Sequence, residues 1–183
     1  MELYKRITLS NWQAIQERFS TLMPPVTSER IRGFDSSSEE NAWLALQVLA
    51  DLEKFTGKQH TLTTVMLFGQ VAGNVQHEHV DGHVTDRRND KSWALNIPIA
   101  NCEQGEMFWN NGTYTLDPSI NPSGLDYLEI NWKEKNFQGS ALIDSPTIVR
   151  VDIPHYVINH SDKQRLMLSL RFSPDLYDTV IAE

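Results

Sequence analysis

A chain of 183 residues with 40% hydrophobic and 22% charged residues has the composition of one globular domain, which excludes a disordered or fibrous protein. Its 16 lysines and arginines against 24 aspartates and glutamates give a net charge of −8, so we expect no nucleic-acid partner. A single cysteine, Cys102, excludes an internal disulfide and a thiolate metal site. Without an apolar run long enough for a signal or a membrane span, the protein is expected to be cytoplasmic and not bound to membranes.

The first predicted helix follows Ser10, whose hydroxyl suits an N-cap. Apolar residues then recur at spacings of three and four, which is the period of one helix face, at Trp12, Ile15, Phe19 and Leu22. Pro24 and Pro25 lack a backbone N–H and are expected to end the helix. The pattern predicts an amphipathic helix.

A second helix is predicted over 41–55, because Ser37 and Glu40 have the spacing of a capping box in front of it. Gly57 follows as a C-cap. One apolar face is predicted from Ala42, Leu46, Leu49 and Leu52. Such a face needs a flat surface to cover.

From residue 61 onward, short runs rich in β-branched and aromatic residues alternate with Gly, Asn, Asp and Pro. Strands are predicted over 63–71, 93–99, 106–109, 141–143, 148–153 and 165–172. Many short strands after helices favour an antiparallel sandwich or barrel with helices on one outer face. The segment 110–139 has weak periodicity and predicts a long loop or hairpin of the kind that often acts as a lid.

Histidines cluster in two short segments that border predicted strands, 77–83 and 154–160. Residues two apart in an extended segment point to the same side, so His79 and Asp81 can present an imidazole and a carboxylate to one ion. His155 is the natural third ligand. Two histidines and one carboxylate on one face of an ion suit Fe(II) that must also bind a cosubstrate and dioxygen.

Two other interpretations of these residues stay open. His77 has the same parity as His79 and is its main competitor as a ligand. Asp81 precedes Gly82, and Asp-Gly is also a common turn pair. His83 and His160 have the wrong parity or lie outside the motif, and we expect neither to be a ligand.

Arg165 opens the last predicted strand, ten positions after His155. Strand alternation places Arg165 on one face, with Ser169 and Arg171, and three leucines and a phenylalanine on the other. If the arginine face lines a barrel interior, a buried guanidinium there needs an anionic partner, which the carboxylate of a small diacid would supply. Arg171 lies near the strand end and is expected to be exposed.

These motifs together resemble the Fe(II)/2-oxoglutarate-dependent oxygenases: HVD at 79–81, PHYVIN at 154–159, and Arg165 at the start of RLMLSLRF. The PHYVIN block and the run WALNIPI at 93–99 look most like the aspartyl/asparaginyl β-hydroxylase-like branch. The resemblance covers about 65–173. HxD alone is weak, but all the parts occur in the expected order.

The resemblance implies a mostly β protein with flanking helices, built on a double-stranded β-helix, which is a jelly roll of the cupin-like kind. It implies a single domain over 1–183, with mainly helical support over 1–60 and the jelly-roll core over 61–173. It also implies an Fe(II)- and 2-oxoglutarate-dependent dioxygenase that hydroxylates an unactivated C–H bond. The substrate would be an amino acid residue in a protein or a small metabolite.

The resemblance also implies roles for individual residues. His79, Asp81 and His155 would bind Fe(II), and Arg165 would bind the distal carboxylate of 2-oxoglutarate. Many members have a hydroxyl two positions after the arginine, where this chain has Met167. Two further residues are candidates for cofactor binding: Ser169, which is on the same face as Arg165, and Asn96, if it points into the barrel. For Asn96, bonding to a neighbouring loop is the alternative.

Two other functions stay open at this point. A cupin of another kind could use His77, His79 and His155 to bind a metal without 2-oxoglutarate, although the glutamate expected after the paired histidines is replaced by His83. A jelly-roll binding domain without turnover is the second alternative. Formation of succinate from 2-oxoglutarate separates the oxygenase from both.

Overall fold

The computed structural model describes residues 2–81, 92–120 and 126–177. Its helices are α1, Trp12–Ser20, and α2, Glu39–Thr56. Its strands are β1 Tyr4–Arg6, β2 Arg30–Phe34, β3 Thr61–Gln70, β4 His79–Val80, β5 Trp93–Ala100, β6 Gly105–Ile120, β7 Asp126–Leu142, β8 Thr147–Arg150, β9 His155–Asn159 and β10 Arg165–Ser173. In the described part of the chain, neither helix combines the length and the apolar character that a membrane span requires.

The strands pair in antiparallel fashion in two sheets. The larger sheet has the order β1-β8-β5-β10-β3-β2, and the smaller sheet has the order β4-β7-β6-β9, in which β4 also pairs with β9. Helices with two antiparallel sheets confirm the predicted mostly β fold class.

The two faces of β10 show how the layers pack. Leu166, Leu168 and Leu170 join the apolar core between the larger sheet and the two helices. Met167 faces the other way, into a second core that also contains Met107 from the smaller sheet. Because side chains alternate along a strand, Arg165, Ser169 and Arg171 share the face of Met167 and lie between the two sheets.

The ends of the helices differ in part from prediction. Ser10 does not cap α1, because its Oγ donates to Asp51 Oδ1 at 2.9 Å and so ties the start of α1 to α2. Ser38, rather than Ser37, caps α2 by accepting a hydrogen bond from the backbone N–H of residue 41. Gly57, with a φ of 69°, ends α2 as predicted.

The buried face of α2 is also rotated from the prediction. The fully buried side chains are Leu44, Val48 and Leu52, whereas Leu46 is 78% exposed. Two apolar stripes at helical spacing overlap in this helix, and local spacing alone does not choose between them. The position of the larger sheet decides which stripe is buried.

Two short strands within 1–60 were missed in the sequence. β1 and β2 lie at opposite edges of the larger sheet, although 1–60 was predicted to be mainly helical support. They are only three and five residues long and carry little apolar alternation. The described residues of 110–139 pair as the antiparallel strands β6 and β7, which agrees with the hairpin alternative and not with the long loop.

Candidate metal centre

The neighbouring strands β4 and β9 place two histidines side by side, with His79 opposite His155 in the register. Asp81 follows β4 directly. Its Oδ1 lies 3.2 Å from His79 Nε2 and 3.8 Å from His155 Nε2. The three ligating atoms all lie within 4.8 Å of one another, so this group could hold a metal ion.

Both imidazole rings are held in the orientation that a metal ligand needs. His79 Nδ1 lies 2.8 Å from the carbonyl oxygen of His77, and His155 Nδ1 lies 2.9 Å from that of Ile153. A carbonyl oxygen only accepts, so each Nδ1 carries the hydrogen, and each Nε2 of a neutral ring turns its lone pair to the cluster. The donor set therefore fits a metal ion. His77 supplies its carbonyl here, while its side chain is exposed.

The electrostatics of the cluster favour an ionised carboxylate. Burial opposes the charge of Asp81, but the hydrogen bond with His79 and the positive charge of Arg171 outweigh it and hold the pKa of Asp81 far below its usual range. Burial lowers the pKa of His155 to about 4, so this ring is neutral at pH 7. Burial also lowers the pKa of His79, but the hydrogen bond with Asp81, the negative charges of Asp81 and Glu29 and the bond to the carbonyl of His77 together outweigh burial and leave that pKa raised.

Arg171 is part of this cluster, contrary to the prediction that it is exposed. Its Nη2 donates to Asp81 Oδ2, and its side chain is only 15% exposed. Its Nη1 donates to Ser169 Oγ at 2.8 Å, and that hydroxyl donates to Asn96 Oδ1 at 2.7 Å. The prediction was wrong because the partner of Arg171 comes from the other sheet, which a pattern along one strand cannot show.

Asn96 and Ser169 both line the pocket next to the histidine cluster. Their side chains bond to each other, and Asn96 is 9% exposed, so within the described residues Asn96 bonds a neighbouring strand rather than a loop. Whether they contact a cosubstrate stays a prediction.

Arg165 lies on the wall of the same pocket and is 4% exposed. Its Nη1 donates to Gln70 Oε1 over a long 3.4 Å, and its Nε has no hydrogen-bond partner in the described residues. Burial lowers the pKa of Arg165, yet a guanidinium stays charged in proteins. A buried cation with an unpaired donor fits a small anion such as a carboxylate.

Gly105 makes room for this guanidinium, because a Cβ there would clash with Arg165 Nε and lie 2.8 Å from its Cδ. We therefore expect Gly105→Ala to lower the free energy of unfolding by about 1–3 kcal/mol, as overpacked sites do. Gly33→Ala is the matched control, since a Cβ there meets no atom within 4 Å. Urea denaturation measures the free energy of unfolding of both variants. Equal stability of the two would contradict the close packing of Gly105 against the Arg165 side chain.

Glu78 fixes the β6–β7 hairpin to the strand that carries His79. No sequence motif predicted this role. Its Oε1 accepts from Asn110 Nδ2 at 2.5 Å, and its Oε2 accepts from Trp132 Nε1 and Lys135 Nζ, each at 2.8 Å. The base of the hairpin therefore lies next to the histidine cluster. Its action as a lid stays a prediction.

The candidate metal ligands and Arg165 line one pocket between the sheets. No protein-family model matches the chain, and no curated protein matches it either. Among solved structures, it is similar to an oxidoreductase of the 2OG-Fe(II) oxygenase family from Burkholderia pseudomallei, with a TM-score of 0.52 and 13% identity over 88% of this chain and 77% of that one.

Two further solved structures are similar. A prolyl-4-hydroxylase from Pseudomonas putida has a TM-score of 0.47 and 14% identity over 92% of this chain and 90% of that one. HygX from Streptomyces hygroscopicus, solved with nickel and 2-oxoglutarate bound, has a TM-score of 0.48 and 13% identity over 91% of this chain and 80% of that one. At such identities the likeness to the Burkholderia oxygenase concerns the fold, and the chain has the double-stranded β-helix fold of 2-oxoglutarate oxygenases.

Proposed function

We propose that this protein is an Fe(II)- and 2-oxoglutarate-dependent oxygenase that hydroxylates an unactivated C–H bond. One observation carries the proposal: a group able to hold a metal ion, His79, Asp81 and His155, shares a pocket with the buried and incompletely paired Arg165. A metal site alone would fit many cupins. The additional buried cation is what favours a cosubstrate with a distal carboxylate.

In this proposal each residue has a distinct task. His79, Asp81 and His155 bind Fe(II) on one face and leave the opposite positions open. Arg165 binds the distal carboxylate of 2-oxoglutarate, and Asn96 and Ser169 line the pocket near that cosubstrate.

Two further features support the chemistry. Arg171 holds the second oxygen of Asp81 and so fixes the orientation of the carboxylate. The apolar wall that includes Met107, Val157 and Met167 keeps water from part of the pocket. Bound Fe(II), 2-oxoglutarate and dioxygen together supply the oxidising chemistry, with succinate and carbon dioxide as coproducts, while the protein supplies placement.

We further propose that the protein belongs to the aspartyl/asparaginyl β-hydroxylase-like branch and acts on an amino acid residue in a protein or on a small metabolite. The support is the sequence resemblance of HVD at 79–81, PHYVIN at 154–159 and the run at 93–99. A single domain, a cytoplasmic location and the lack of a nucleic-acid partner stay predictions from composition.

The test of the oxygenase proposal is uncoupled turnover. Protein reconstituted with Fe(II) under anaerobic conditions should bind 2-oxoglutarate with a visible charge-transfer band, and admission of air should then produce succinate. Protein without added iron is the control and should form none. A wild-type protein that binds iron but no 2-oxoglutarate, by calorimetry and by absorption, would refute the oxygenase and favour the metal-binding cupin.

A further inference from the structure

Gln70 lies at the end of β3 and is 4% exposed. Its Nε2 donates to the carbonyl oxygen of Asn74 at 3.1 Å and to that of Val157 at 3.0 Å. These two acceptors settle the orientation of the amide, because a flipped amide would place its oxygen against two carbonyl oxygens. Gln70 Oε1 therefore faces Arg165 Nη1, 3.4 Å away.

We propose that Gln70 is a positioning residue, which aims the Arg165 guanidinium at the distal carboxylate of 2-oxoglutarate. This inference rests on the proposed function. It assigns Gln70 no contact with the reacting atoms, so its effect on the cosubstrate should pass through Arg165 alone.

The chemical nature of the side chain supports this role. An amide oxygen is a neutral acceptor, so it orients the guanidinium without cancelling the charge that an incoming carboxylate needs. A glutamate at the same place would form an ion pair with Arg165 and compete with the cosubstrate. The long 3.4 Å contact with Gln70 leaves donors of the Arg165 guanidinium for an anion.

The Asn159 side chain also supports the backbone around Gln70, so holding this backbone in place is not the task of the Gln70 side chain alone. Asn159 is fully buried, and its Nδ2 donates to the carbonyl oxygens of Val71 at 3.0 Å and Lys163 at 2.8 Å, with a longer bond to that of Gln70 at 3.4 Å. Asn159 thus holds the turn after β3. It is the matched control, because none of these bonds involves Arg165.

The experiment compares two keto acids that differ only in the distal carboxylate, 2-oxoglutarate and 2-oxovalerate. Dissociation constants are measured by anaerobic calorimetry on Fe(II)-loaded wild type, Gln70→Met, Gln70→Glu and Asn159→Ala. We expect Gln70→Met to weaken 2-oxoglutarate binding about five- to tenfold, which is less than the loss of a short hydrogen bond to a charged group because the contact with Arg165 is a long 3.4 Å. Binding of 2-oxovalerate should weaken less than about twofold. Gln70→Glu should weaken 2-oxoglutarate more than Gln70→Met does, and Asn159→Ala should change both keto acids by the same factor.

The outcomes separate the two proposals. If the wild type binds no 2-oxoglutarate, the oxygenase proposal fails. If the wild type binds it, but Gln70→Met weakens both keto acids equally or neither, Gln70 has no positioning role and the oxygenase proposal stands. Melting temperature and iron content are measured for every variant. Should the 2-oxovalerate affinity be too low to measure, Gln70→Met is combined with Arg165→Ala: it should then weaken 2-oxoglutarate no further, and an undiminished effect would overturn the positioning role.

Discussion

His155→Ala is expected to abolish iron binding, whereas wild-type protein reconstituted anaerobically retains about one Fe(II) per chain, as one facial group of three ligands implies. His155 is 4% exposed and its Nε2 lies 3.8 Å from Asp81 Oδ1, so the substitution removes one of the three ligand atoms from a buried position. Loss of a residue that only supports a ligand costs about 10–100-fold in metal affinity, so loss of a ligand itself should cost more. Metal analysis after anaerobic dialysis measures the result.

His77→Ala is the control for this experiment, since the His77 side chain is exposed and only its backbone carbonyl supports His79. It should retain wild-type iron content. The ligand assignment would be wrong if His77→Ala lost its iron while His79→Ala and His155→Ala kept theirs.

Asp81→Ala should weaken iron retention, because it removes the anionic member of the group and its compensation for the charge of the ion. It also leaves Arg171 without the carboxylate that it contacts. Dialysis against a chelator compares this variant with the wild type. If the variant retained iron as the wild type does, the alternative interpretation of Asp81 as a turn residue would be favoured. Gly82, the other residue of that turn pair, lies outside the described residues.

Alternation along a strand was the most useful signal in the sequence. It placed His79 and Asp81 on one side, and the structure brings their side chains to 3.2 Å. It also separated Arg165 and Ser169 from the leucine face of the last strand. Such inferences succeed because the two-residue period of a strand is a property of the local backbone, independent of what packs against it.

Contacts between the sheets could not be predicted in this way. Arg171 was on the correct face, but its contact with Asp81 depends on how the smaller sheet sits over the larger one. Gln70 and Gly105 gave no motif, because one serves as an amide acceptor and the other by its lack of a side chain. The signal that could have indicated Gln70 is a glutamine at the end of an otherwise apolar strand.

Arg165→Ala is expected to raise the dissociation constant for 2-oxoglutarate at least about tenfold while iron binding persists. A hydrogen bond to a charged group contributes about 1.5–3 kcal/mol, and 1.4 kcal/mol corresponds to a factor of ten. Arg165 is buried on the pocket wall, and its hydrogen bond with Gln70 is a long 3.4 Å, so the guanidinium keeps donors for the carboxylate. Arg165→Lys should recover part of the loss, because it keeps the charge without the bidentate fork.

The choice of control decides how this result is interpreted. Arg171 is unsuitable, because its Nη2 contacts Asp81 and its removal would disturb the metal group. Arg6→Ala is the better control, since that side chain is 55% exposed on the edge strand β1 and pairs with Asp144. Calorimetry on iron-loaded protein should give Arg6→Ala the wild-type dissociation constant. An Arg165→Ala variant that also matched the wild type would show that the distal carboxylate binds elsewhere, and Arg171 would then be the next cation in the pocket to test.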